Sequence, residues 1–118
     1  MDAPVWPLEV TALTEAPGVR LGGEIDLSTL PLLEMALGLL VGAAGDFIVD
    51  LAKVTFIDVR GLKALASAAI ELHGAGGKVY LRGVNSLTLH VLGLCGWNGL
   101  FEFTDSQPSG REVHRSTR

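Results

Sequence analysis

The 118-residue chain has a single cysteine, Cys95, so it has no internal disulfide, and nothing in it points to an oxidising compartment. It also lacks a run of roughly 18 uncharged apolar residues, the least a membrane-crossing helix needs. The nearest approach, LPLLEMALGLLVGAAG over residues 30–45, is broken by Glu34 and salted with glycine. The N-terminal MDAPVWPLEV has no basic stretch ahead of an apolar one, so no secretory leader is expected and the location read from the chain is cytoplasmic. Three histidines, His73, His90 and His114, lie far apart with no partner at ligand spacing, so neither a metal nor a cofactor is expected. A net charge of −4 argues against a nucleic-acid binder. The cations Arg111, Arg115 and Arg118 gather in a tail, where solvent rather than a nucleic acid is the expected neighbour.

What the chain does have is apolar mass. Hydrophobic residues make up 48% and the mean hydropathy is +0.41, ample for one core and too apolar for disorder. One domain is expected over residues 1–107, with 108–118 a disordered C-terminal tail because periodicity has stopped. PLEVTALTE and GVRLGGEID read as strands, with Pro17-Gly18 as the turn of a hairpin. LSTLPLLEMALGLLVG takes up helical spacing, with Leu32, Met35, Leu39 and Leu40 near one face. Pro31 suits a first turn, whose N–H groups have no partner anyway, so Ser28 is taken as the cap. GDFIVDLA is the best buried strand and KVTFID its short extension; KVYLRGV and LFEF are the later strands. The helix after Asp58 puts Leu62, Leu65, Ala66, Ala69 and Leu72 on one side and stops at HGAGG, whose glycines suit a left-handed cap. A third helix starts at the capping residue Asn85. The order is ββαβαβαβ, an α/β protein with helices packed on a mixed, mostly parallel sheet. Ile48, Leu51, Leu62, Leu65, Ala69 and Leu92 are the expected core.

No stretch demands catalysis. GAGGK at 74–78 has the glycines of a phosphate loop, but it ends a helix and precedes a strand, the reverse of that motif's context. Ser28, Ser67 and Ser86 lack a nucleophile-elbow surrounding. Asp26 and Asp58 end strands that a parallel sheet brings side by side; paired carboxylates suit acid–base work, but residues at helix entries are more simply caps. Cys95 and Trp97 read as core or rim, and His90 as a partly buried helix residue.

GGEIDLST followed by FIVDLAKVTFIDVRGLKAL resembles the STAS domain of anti-sigma factor antagonists. That family has a G-E-x-D strand end, then D-L-x-x-V-x-x-[IM]-D-[ST]-[ST]-G-L leading into a helix. The chain matches at Gly23, Glu24, Asp26, Asp50, Leu51, Val54, Ile57, Asp58, Gly61 and Leu62, and the likeness runs over roughly residues 8 to 105. It departs at Val59 and Arg60, where the family has hydroxyl residues.

The resemblance implies a STAS-type layer and a regulatory protein rather than an enzyme. Such a domain binds a serine-kinase-type anti-sigma factor and so frees a sigma factor, until phosphate on the first hydroxyl after the motif aspartate separates the two. That position is Val59 here, which has no oxygen to phosphorylate. The expected partner-binding set is Asp26, Ser28, Thr29, Asp58, Val59, Arg60, Gly61 and Lys63, with Ser28 and Thr29 as other hydroxyls near the corner and Thr55 expected to point into or along the sheet. Arg60 sets a cation at a helix start, to be compensated by Asp58, Asp26, Glu24 or a partner's acid. The alternative is a STAS-fold scaffold or small-ligand sensor subunit of a larger assembly, associating with other STAS domains.

Overall fold

A computed structural model describes residues 7–104; the expectations for the C-terminal tail fall outside the described residues. Strands β1 (Leu8–Ala12) and β2 (Gly18–Ile25) form the expected hairpin. Helix α1 (Leu30–Gly42) leads to β3 (Phe47–Ile57), then α2 (Val59–Gly74), β4 (Val79–Arg82), α3 (Ser86–Leu94), a 3-10 turn (Asn98–Leu100) and β5 (Glu102–Thr104). The five strands lie in chain order in the sheet; β1 is antiparallel to β2 and the rest are parallel, the mixed, mostly parallel sheet that the element pattern predicts.

Helices α1 and α2 lie side by side on one face of the sheet. Alternation along the strands turns Val19, Leu21, Val49 and Leu81 toward them, and each is buried. Leu62, Leu65, Ala69 and Leu72 answer from α2, as their spacing predicts. Leu51 and Leu92 are also core, but Ile48 is only half-buried because it alternates onto the opposite face. Gly76, at φ 89°, supplies the left-handed step after α2 and donates its N–H to the His73 carbonyl. Asn85 caps α3 by accepting from Thr88 N–H at 2.8 Å, while His90, expected half-buried, is exposed.

Helix α1 differs from its sequence reading in two ways. Its cap is Thr29, one residue after Ser28, because Asp26 and the two residues after it form a separate turn ahead of the helix. Its buried face is Leu33 and Leu37, flanked by Leu30, Leu40 and Val41. Of the four positions expected to share a face, only Leu40 packs on the core; Leu32, Met35 and Leu39 point away. Apolar residues surround this helix, so periodicity alone does not choose a side.

The other face of the sheet carries Arg20, Asp50 and Arg82, directly opposite one another across β2, β3 and β4. Asp50 Oδ2 accepts from Arg20 Nε at 3.3 Å and Arg82 Nε at 3.1 Å, and its Oδ1 accepts from Ala52 N–H at 2.9 Å. Arg82 also reaches Glu15 Oε2 at 2.9 Å, tying the β1–β2 loop across the sheet. Burial pushes the Asp50 carboxyl up, but these hydrogen bonds outweigh it and leave the pKa below the ordinary value.

Candidate docking corner at the start of the second helix

Parallel pairing sets Ile25 opposite Ile57, so β2 and β3 end together, and Asp58 N–H donates to the Ile25 carbonyl at 3.0 Å. Asp26 and Asp58 therefore begin neighbouring turns at one edge of the domain. Asp58 is the cap of α2. Its Oδ1 accepts from the backbone N–H of Arg60 (3.0 Å) and Gly61 (3.2 Å), two of the donors a helix start leaves free. Its Oδ2 accepts from Arg60 Nη1 at 3.2 Å, so of the acids expected to balance that cation it is Asp58 that does so.

Asp26 is spent in the same way. Its Oδ1 accepts from Ser28 Oγ at 2.7 Å, Ser28 N–H at 3.0 Å and Thr29 N–H at 3.2 Å. The Ser28 hydroxyl, with the two N–H groups, holds the Asp26 carboxyl below its ordinary pKa against the upward push of desolvation. One oxygen of each carboxylate, Oδ1, is thus taken up by local donors, which suits structure rather than proton transfer.

Gly61 is required by packing. A Cβ there would run into Ile25 Cγ2 and lie 3.1 Å from Ile57 Cγ1, so only glycine lets the first turn of α2 sit down on the two strand ends. That seating turns Val59 and Arg60 outward: Val59 is 52% exposed and the Arg60 side chain 56%. Ser28 and Lys63 are exposed as well.

Two expectations for this corner are corrected. Thr29, expected to be accessible, is buried, and its hydroxyl donates to the Glu24 carbonyl at 2.9 Å. Thr55, expected to point into or along the sheet, is exposed, with its hydroxyl donating to the Gly23 carbonyl at 3.2 Å. The cause lies in β3, whose register against β2 shifts twice, between Arg20 and Gly22 and between Gly23 and Glu24. Each shift inserts one β3 residue and resets the alternation. The same shifts bring Phe56 out to 52% exposure, a surface residue the sequence reading missed.

Depressions flank the corner on both sides. Arg60 and Lys63 sit at one end of a groove of about 490 Å³ between α1 and α2, which Glu34, Ser67 and Glu71 also line. On the other side, Phe56, Ile57, Leu62, Leu87 and Val91 line an apolar cleft of about 170 Å³ between β3 and α3. The arrangement offers a carbon-surfaced helix start with an internally paired cation, framed by shallow surfaces. Such a surface can be docked on.

The family model described as "Mlab, STAS domain" matches residues 8–102. Among solved structures, an anti-sigma factor antagonist from Mycobacterium paratuberculosis is 28% identical over 94% of this chain and 92% of its own, with a TM-score of 0.65. The Bacillus cell fate determinant SpoIIAA in its phosphorylated form is 17% identical over 92% of this chain and 97% of its own, TM-score 0.65. The anti-sigma factor antagonist SpoIIAA in its unphosphorylated form is 15% identical over 90% and 93%, TM-score 0.64. The likeness to SpoIIAA is one of fold. No curated protein matches the chain in sequence.

Proposed function

The chain belongs to the STAS domain family, whose members are regulatory binding proteins and not enzymes, and from that premise we propose that it docks an anti-sigma factor of the serine-kinase type and holds it whether or not ATP is present. The observation that carries the reading is Val59. It stands exposed at the first helical position after Asp58, where the family places the hydroxyl that receives phosphate, and it presents only carbon.

A phosphate at this point would add about −1.5 to −2 charges beside free backbone N–H groups, tolerable to the fold but not to a docked partner. Without an acceptor that switch is missing. Thr29 offers no substitute, being buried with its hydroxyl committed; Ser28 and Thr55 are exposed hydroxyls at the corner, already donating to Asp26 and to the Gly23 carbonyl. The use of Asp26 Oδ1 and Asp58 Oδ1 by local backbone donors weighs against the alternative of a small-ligand sensor at the same place.

Recovery of partners from the native cell, with and without ATP, tests the reading. A sigma-regulating kinase retained under both conditions supports it, whereas recovery of other STAS domains alone would favour the scaffold. With the partner in hand, Arg60→Glu should weaken binding at least about tenfold, close to 1.4 kcal/mol, by placing an acid on the docking surface. Unchanged affinity would remove Arg60 from the interface.

A further inference from the structure

Strand β3 outruns its neighbour. It pairs with β4 only over residues 47–50, and at Gly83, φ 72°, the chain leaves β4 close against Ala52 and turns into α3. Over residues 51–57, β3 therefore has β2 on one side and a helix on the other. A helix about 10–12 Å across cannot approach a strand edge as closely as a second strand does, at about 4.8 Å. The apolar cleft of about 170 Å³ is the gap between them. Its floor is Leu51 and Leu62, both buried, and its walls are Val54, Ile57, Val84 and Val91, all half-buried. None of its lining residues is ionisable, so it has no counter-charge for a phosphate or a carboxylate.

One polar group in this lining is left over. Thr88 is 8% exposed, and its N–H is spent on the Asn85 cap. A threonine buried in a helix ordinarily turns its hydroxyl back to a carbonyl three or four residues earlier. The Thr88 hydroxyl makes no such bond, nor any other among the described residues, although Thr88 lines the cleft. Thr55, the other threonine at the cleft, already donates to the Gly23 carbonyl. Buried hydroxyls are nearly always paired, because one without a partner has lost its water and gained no bond.

We infer that the cleft binds one neutral aromatic ring carrying a hydroxyl, a simple phenol, whose oxygen pairs with Thr88 Oγ1. The size fits a single ring, since apolar cavities of roughly 150 Å³ take up benzene. The branched side chains of the walls supply its apolar contacts, and Phe56, 52% exposed at the rim, offers it an aromatic neighbour. The phenol O–H, the more acidic of the two hydroxyls, donates to Thr88 Oγ1. A ring without oxygen leaves Thr88 unpaired, which is what makes the cleft selective. The site uses neither Asp26 nor Asp58 and does not depend on the partner proposed for the corner at Val59.

An amide chemical-shift titration of the full chain with p-cresol tests the inference, with toluene as the same ring and methyl group lacking the oxygen. p-Cresol should shift the amides of Thr55, Ile57, Thr88 and Val91 with a dissociation constant of roughly 0.3–10 mM. Toluene should bind at least about fivefold more weakly. Thr88→Val keeps the side-chain shape without the hydroxyl, so it should bind the two rings alike and melt no lower than the native chain. N-acetyltyrosinamide separates the two sources of such a ring. Shifts at the same amides assign it to a tyrosine side chain of another polypeptide, and shifts with p-cresol alone assign a free phenol. No shift at these amides with p-cresol, or toluene binding the native chain equally well, would overturn the inference. A lower melting temperature for Thr88→Val would overturn it too, by showing that the hydroxyl is already paired within the chain.

Discussion

Replacing Asp58 by alanine separates the two jobs its carboxylate performs. Oδ1 satisfies the N–H groups of Arg60 and Gly61, and Oδ2 holds the Arg60 guanidinium. Loss of a capping side chain costs about 0.5–2 kcal/mol, here toward the upper end because two donors share one oxygen. The Arg60–Asp58 ion pair has side chains 56% and 22% exposed, so solvent screens it and its own loss adds at most a few tenths of a kcal/mol. The released Arg60 cation then faces the positive end of α2, at roughly 0.3–1 kcal/mol.

The sum is about 1.5–3 kcal/mol, read as a lower urea midpoint with unchanged slope and a melting temperature down by roughly 6–20 °C. Asp58→Asn keeps a capping oxygen and should lose well under half as much. Adding Arg60→Ala to Asp58→Ala should recover the cation's share. An Asp58→Ala loss under about 0.5 kcal/mol would refute the capping argument, and Asp58→Asn as costly as Asp58→Ala would show that charge, not the cap, holds the corner.

Leu65 is fully buried against the sheet, so Leu65→Ala should cost about 2–5 kcal/mol in the same urea titration; a loss below half a kcal/mol would mean the wrong face of α2 is assigned to the core. Asp50 is held ionised by Arg20, Arg82 and Ala52 with its pKa below the ordinary value, so its contribution is complete above about pH 4 and disappears as the pH falls through the lower, folded-state value. Acid unfolding followed by circular dichroism should show stability dropping there, and Asp50→Asn should flatten the drop while lowering stability at pH 7; an unchanged acid limb would remove Asp50 from the account.

The element order, the hairpin and the phase of α2 were legible in the sequence because their signals are local and clean. In α2, apolar residues at 62, 65, 69 and 72 alternate with Arg60, Lys63 and Glu71, leaving one possible inner face. Helix α1 gives no such contrast, and its core face is decided by which leucines fit over β2, a tertiary fact. The cap at Thr29 rather than Ser28 follows from the Thr29 hydroxyl reaching back to Glu24, across a turn whose shape no spacing encodes. The insertions in β3 are equally silent, since a bulge shows itself only against the partner strand, and with them went the exposure of Thr55 and Phe56. The Arg20–Asp50–Arg82 ladder needs the register of three strands before the charges meet. The corner itself was legible because Asp58, Gly61 and Leu62 are fixed by capping and close packing, both of which select residue types at fixed positions.

The claim at the centre of this account is that the corner docks its partner without a phosphate switch, and intact-mass analysis of the complex with its recovered kinase tests it most directly. After incubation with ATP, the native chain should keep its mass and remain bound, while Val59→Ser should gain one phosphate in residues 56–65 and begin to leave. Release of Val59→Ser should be partial, because Arg60 offsets some of the new charge, and more complete when Arg60→Ser is added. Phosphate found on Ser28 of the native chain, together with its ATP-dependent release, would contradict the claim.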